Sequence, residues 1–258
     1  MSPSTRPVLT FDMNGTLLDI SALDGVFADH FDTHFSRREW FDELIKLSMV
    51  ATMTGEYSDF SVLAKAALAV IAERHGKKVT PGAETQIMDV VRNLPAFPDV
   101  KPGLQKLKDA GFRLIVMTNS PLASAQHSIK SAGLGLLFEK VMSVDAVKKF
   151  KPSAEVYRYA AKEAGVDIGD IMMVAAHAWD TTGAIRAGAH GAFVKRPGEV
   201  LDPSSPKPDL IVSDMEDLAA QLLGHSNRDG ESAPEKSKEQ AEDKKAEKEA
   251  RAENLRVG

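Results

Sequence analysis

Val8-Leu9-Thr10-Phe11-Asp12-Met13-Asn14-Gly15-Thr16-Leu17-Leu18-Asp19 is a short apolar run that stops at a carboxylate, followed by a glycine and a hydroxyl residue. An apolar run of that length reads as a buried strand, and an open α/β sheet presents its reactive groups at the C-terminal ends of its strands. Gly15 permits a sharp turn there, and the Thr16 hydroxyl can bind an anion or hold a carboxylate. Taken alone, the string supports a polar turn as well as a catalytic Asp12. Its partners elsewhere in the chain must choose between the two.

Downstream of Asp19 the pattern becomes helical. Phe31, Phe35, Trp40, Phe41, Leu44 and Leu47 fall at helical spacing, and amphipathic segments follow from Phe60 to His75 and from Gly82 to Asn93. Pro95, Pro98 and Pro102 mark the return to an alternating pattern. We expect a helix over 102–110, a strand over 112–118, a helix over 121–132 and a short strand over 141–143. A helix over 153–164, a strand over 171–175, a helix over 180–187 and a strand over 192–194 complete the alternation. The implied fold is α/β, a doubly wound parallel sheet covered by helices, with a helical cap inserted after the first strand. The expected boundaries are a core of 1–19 and 98–225, a cap of 20–97 and a charged tail of 226–258. Apolar residues nearly vanish from that tail while basic and acidic residues almost cancel, so it is expected to be disordered.

The 258 residues are enough for an α/β core plus an insertion, and 43% hydrophobic with 27% charged residues is ordinary globular composition. A net charge of -5 provides no basic field for nucleic acid. With no cysteine, disulfides, thiolate nucleophiles and cysteine-based zinc sites are excluded, which fits a reducing, cytoplasmic setting. The N-terminus lacks an apolar signal core, and Leu63 to Ala72 is too short and too interrupted to span a bilayer. No membrane partner is expected, and apolar positions on the outer side of the cap are compatible with a homodimer.

Several other polar groups fall at the predicted strand ends: Thr118-Asn119-Ser120, Lys151-Pro152 and Ala175-Ala176-His177-Ala178-Trp179-Asp180. All should converge on Asp12. Each also has an ordinary reading. Lys151 taken singly is a solvated loop residue, Trp179 is packing, and Tyr157 beside Val156 and Ala160 is core. His177 is a hydrogen-bonded structural residue, and Trp40 and Phe41 are cap core.

The ordered set of Asp12 with Thr16, Thr118-Asn119, Lys151-Pro152 and Asp180 resembles the haloacid dehalogenase superfamily over residues 7 to 222. Its detail is similar to the L-2-haloacid dehalogenases, through Ser143-Val144-Asp145, the spacing from Lys151-Pro152 to Tyr157, and Ala178-Trp179-Asp180-x-x-Gly183-Ala184. That resemblance implies an Asp12 nucleophile displacing halide from the α-carbon of a small (S)-2-haloacid, followed by hydrolysis of the aspartyl ester. A halide leaves without a general acid, so neither a metal nor any other cofactor is implied. Lys151 would keep Asp12 ionised, Asp180 would activate the hydrolytic water, and Thr16 would complete the catalytic group. Asn14, Thr118, Asn119, Tyr157, His177 and Trp179 would contact substrate.

Phosphatases of the same superfamily carry an acid two residues after the nucleophile, where this chain has Asn14. They also carry a magnesium-binding acid four residues before the Asp180 position, where it has Ala176. Departures from the dehalogenases exist too. Asn14 replaces a tyrosine, and His177 stands at an asparagine position. The cap's Trp-Arg pair reads Trp40-Phe41, leaving Arg38 as the candidate replacement cation and Phe41 as a wall of the halide pocket. A phosphatase of small phosphomonoesters and a non-catalytic binder of small acids are the competing readings.

Overall fold

The structure is a computed structural model whose backbone is described for residues 6–31 and 36–230, and whose side chains are described for 6–31 and 37–224. Val8–Phe11 forms β1, near the middle of a six-stranded sheet. The other strands are β2 (Leu114–Thr118), β3 (Lys140–Ser143), β4 (Ile171–Ala175), β5 (His190–Val194) and β6 (Leu210–Val212). Their order is β3-β2-β1-β4-β5-β6, and every pairing is parallel. All residues of β1, β2 and β4 are buried, which is why these strands read as continuous apolar runs rather than alternating ones. Because β1 has β2 on one side and β4 on the other, the strand order reverses there and a crevice opens beyond the strand ends.

Among the described residues, four α-helices lie between β1 and the helix that precedes β2. They are α1 (Asp24–Phe31), α2 (Ser36–Thr54), α3 (Phe60–Arg74) and α4 (Pro81–Arg92). Asp59 and Thr80 cap α3 and α4 through Ser61 N and Ala83 N, satisfying donors that a helix start leaves free. The Trp40 indole donates to Ala64 O at 2.9 Å and ties α2 to α3. Chain entry and exit of this insertion lie side by side, since Asp19 N donates to Pro95 O at 2.8 Å and Phe97 N to Leu17 O at 3.1 Å. Val50, Met53 and Val62 are exposed apolar residues on α2 and α3. The expected contribution of Phe35 lies outside the described residues.

The alternating half follows the expected order, with α5 (Val100–Asp109), α6 (Leu122–Ser131), α7 (Ala154–Ala164) and α8 (Ala178–Ala187) between or beside the strands. One difference matters for function: α8 starts two residues before the expected 180, so Trp179 and Asp180 sit on its first turn rather than in a loop. β6 and α9 (Met215–Gly230) were not anticipated, because a three-residue edge strand carries too short a pattern to read. α9 also carries helical backbone through 226–230, past the expected start of the tail. Elongating an existing helix fixes few dihedrals per hydrogen bond, so the helical backbone runs on past the last apolar positions. Residues 231–258 lie outside the described region. Among the described residues, no helix is long and apolar enough to cross a membrane.

Candidate active site

Asp12 follows β1 directly, its N–H bonded to Val174 O of β4 at 3.0 Å, so the central strand pairing itself aims the carboxylate at the crevice. Oδ1 accepts from Lys151 Nζ at 2.7 Å and Oδ2 from the Thr16 hydroxyl at 2.8 Å. Thr16 Oγ1 accepts in turn from Ala176 N at 2.9 Å, which fixes the direction of its proton toward Asp12. The sharp turn after Asp12 uses Gly15 at φ +80°, and a Cβ there would sit 2.9 Å from His177 Nε2. Glycine is required on both counts.

Lys151 is fully buried and has three acceptors: Asp12, Asp180 Oδ2 at 2.6 Å and Met117 O at 3.1 Å. Its ordinary reading as a solvated loop residue is therefore overturned. Asp180 is equally buried, and its Oδ1 accepts from the Tyr157 hydroxyl at 2.7 Å. Tyr157 thus orients Asp180 and is not placed against the crevice above Asp12. Gly183 makes that bond possible, because a Cβ there would lie 2.7 Å from the Tyr157 oxygen. Burial pushes the Asp12 carboxyl up, but the Lys151 ammonium foremost, then His177 and the hydrogen bonds, bring it below its ordinary value. Burial also pushes Asp180 up, and with the Asp12 charge added Lys151 fails to reverse it, so Asp180 stands above its ordinary value. Two carboxylates sharing one ammonium are thus driven apart, one toward the ionised form and one toward accepting a proton.

Above Asp12 lies a crevice of about 10 Å³, lined by Asn14, Phe41, Phe60, Thr118, Asn119, His177 and Trp179 among others. Asn119 Oδ1 accepts from Lys151 N at 3.0 Å, which fixes the amide orientation; its buried Nδ2 has no partner. A buried donor without an acceptor is costly, and a ligand oxygen in the crevice would satisfy it. Thr118 Oγ1 accepts from Ser120 N at 3.1 Å, and Asn14 Nδ2 donates to Ser120 Oγ at 3.3 Å. A larger, mainly apolar cavity of about 290 Å³ lies beside the crevice, shares Asn14, Phe41 and Phe60 with it, and reaches Trp40 and Leu44 in the insertion.

One further sequence expectation needs correction. Arg38 does not line the crevice; it is exposed, lies against Gly198 of the loop after β5, and borders a separate cavity with Arg37 and Glu199. Its position on α2 points the side chain across the insertion's flank, as an amphipathic helix directs a charged residue. His177 is hydrogen-bonded, as its ordinary reading held, with Nε2 3.0 Å from Asn14 O, and its ring stacks on Trp179 at 5.3 Å and 7° and lies 5.2 Å from Phe41. Glu199, whose Oε2 lies 3.4 Å from His177 Nδ1, escaped the sequence reading altogether. So did Arg196, which donates to Thr16 O at 3.1 Å and pairs with Asp99. Arg196 lies two residues past β5, another strand end, and that position is the signal that could have found it.

The donor set does not suit a divalent cation. Lys151 already bridges the Asp12 and Asp180 carboxylates, Ala176 offers no side-chain oxygen, and no cluster of three or more acidic, histidine or cysteine ligands occurs among the described residues.

A parallel sheet in this order brings Asp12, a buried lysine and a second aspartate together at its strand ends, and the comparisons place that arrangement in a class of hydrolases. The family model of haloacid dehalogenase-like hydrolases matches residues 7–188, and the chain belongs to that family. Similar proteins include the (S)-2-haloacid dehalogenase 4A of Burkholderia cepacia, 27% identical over 73% of this chain and 82% of the relative. The (S)-2-haloacid dehalogenase of Pseudomonas sp. (strain YL) is 26% identical over 80% and 90%. A solved L-2-haloacid dehalogenase superposes with TM-score 0.81 at 26% identity, covering 85% of this chain and all of that one. The L-2-haloacid dehalogenase of Xanthobacter autotrophicus, solved with chloropropionic acid covalently bound, shares the fold at TM-score 0.79 and 22% identity over 85% and 99%.

Proposed function

We propose that the protein hydrolyses small (S)-2-haloacids to (R)-2-hydroxyacids through an ester on Asp12. The observation that carries this reading is the opposed pair of carboxylates on one buried lysine, Asp12 held below and Asp180 above the ordinary carboxylate value. An Asp12 oxygen attacks the α-carbon from the side opposite the halide, which departs with the bonding electrons and needs no proton. The ester's carbonyl carbon then takes up water, one proton of which goes to Asp180; the acyl bond breaks, Asp180 returns that proton to the departing alkoxide to give the hydroxyacid, and the second proton of water is released as Asp12 ionises again. The α-carbon is inverted once. The unpartnered Asn119 amide is suited to an oxygen of the acid, and the 290 Å³ cavity is the space from which the acid approaches. The insertion of residues 20–97 acts as a cap that keeps bulk water from Asp12, in line with the burial of that carboxylate.

Asn14 and Ala176 disfavour the phosphatase reading, since neither supplies the acid or the cation ligand that phosphoryl transfer to water requires. Halide release from 2-chloropropionate, unaffected by EDTA, is the expected result. A single turnover in heavy-oxygen water should leave the label on Asp12, and Asp12→Asn should lose turnover by roughly 10⁴-fold or more. Magnesium-dependent phosphate release without halide release would sink the proposal.

A further inference from the structure

Anionic ligands meet an electrostatic difficulty in this crevice. The lysine beneath it is shared by two carboxylates, so the floor presents no surplus positive charge. Among the residues lining the crevice, His177 alone can carry one. Its ring is 3% exposed, and both nitrogens face acceptors. Nε2 lies 3.0 Å from Asn14 O and 3.7 Å from Asp12 Oδ2, while Nδ1 lies 3.4 Å from Glu199 Oε2. A neutral imidazole has one N–H, so one nitrogen would turn a lone pair toward an oxygen. The imidazolium meets both acceptors with donors, and the neighbouring aromatic rings, Trp179 stacked on it above all, favour a cation there.

We propose that His177, held as an imidazolium by Glu199 and Asn14 O, is the fixed positive charge that admits an anion, carboxylate or halide, to the crevice over Asp12. Nε2 is hydrogen-bonded to Asn14 O and Nδ1 is ion-paired with Glu199, so the ring acts by its field from the crevice wall and not by giving up a proton. Other charged groups around it are Asp42 and Arg38 of α2 and Arg37, which act on the same His177–Glu199 pair. Burial works against the charged ring, but Glu199 and Asp12 together raise its titration above the ordinary histidine value. The inference draws on the dehalogenase reading only for the identity of the anion.

The test therefore does not use turnover. Histidine-labelled full-length protein is titrated by NMR, with the His177 signal assigned by its loss in His177→Gln. The expected ring is imidazolium at pH 7, deprotonating above the ordinary histidine value, and Glu199→Gln should move that titration downward. Glu199 is 31% exposed, so this variant keeps the fold even if His177→Gln does not. Propionate and bromide are then titrated separately by calorimetry. At least one should bind roughly tenfold more weakly once the pH has passed the His177 titration, and that pH dependence should be absent in His177→Gln and shifted downward in Glu199→Gln. Which anion responds assigns the field to the carboxylate or to the leaving group. A neutral ring at pH 7, a titration indifferent to Glu199→Gln, or anion binding indifferent to the ring's charge would overturn the proposal.

Discussion

The floor and the wall of the crevice are built on different principles. The floor, Asp12, Lys151, Asp180 and Tyr157, is buried and joined by hydrogen bonds of 2.6 to 2.7 Å, each group coming from a different strand end or the helix beyond it. The wall, Phe41, Phe60, His177 and Trp179, is aromatic stacking supplied partly by the insertion and partly by the core. Strand pairing places the floor without regard to what binds, whereas the wall is packing and can be recut for another substrate. The comparison teaches that reaction type and substrate choice are carried by separable parts of the molecule.

The largest effect should come from breaking the floor. Lys151→Met leaves two buried carboxylates facing each other without their shared cation, which costs about 3–5 kcal/mol of stability. Urea denaturation should show that loss, and halide release should disappear because one carboxyl must then take up a proton. A variant as stable as wild type would mean the triad is not the keystone that its burial indicates. Asp180→Asn is the next largest: turnover should fall roughly 10²- to 10⁴-fold. The first halide equivalent should still be released, and mass spectrometry should find the acid attached to Asp12. If no ester accumulates, Asp180 is not the group that receives the proton of water.

A pH experiment sharpens the division within the floor. Asp12 is lowered and Asp180 raised from their common ordinary value of 3.8. As pH falls, Asp180 therefore loses its basic form first, while Asp12 remains ionised to below that value. Ester hydrolysis should fail at higher pH than ester formation, so the burst of halide outlives steady turnover on the acid side. Coincident acid limbs for burst and turnover would contradict the split. The stability sign is consistent: the contribution of Asp12 is present above its unfolded value and is lost as pH falls through its folded one.

The floor was legible in the sequence because strand-end rules and motif order both act on it. Asp12 with Thr16, Lys151 and Asp180 lie far apart in the chain, yet they follow β1, β3 and β4 of one parallel sheet, so their convergence follows from the sheet. The wall was legible only in part. Phe41, His177 and Trp179 could be named, but their stacking depends on how α2 packs over the core, and no local pattern encodes that. Arg38 shows the cost: one helical turn from Phe41, it was expected at the site and instead faces Gly198. Glu199 was invisible for a related reason, since an isolated acid in a loop carries no periodicity and acquires meaning only through His177.

The smallest predicted effect tests the wall alone. Phe41 is half-buried and has no polar group to bond the charged floor; it lines the crevice and lies against the ring of His177. Phe41→Leu keeps an apolar side chain there and should cost only about 1 kcal/mol of stability. Removing one aromatic face should lower the His177 titration by less than about one pH unit. Since Asp12, Lys151 and Asp180 keep their bonds, ester formation at saturating substrate should change little, while KM and the preference among 2-haloacids of different chain length should shift. The measurement is a panel of chain lengths compared by KM and by kcat in both proteins. A change confined to kcat would tie Phe41 to the reacting atoms and remove the separation between floor and wall. A change confined to KM would place substrate choice in the aromatic packing, where the insertion can vary without disturbing the strand ends.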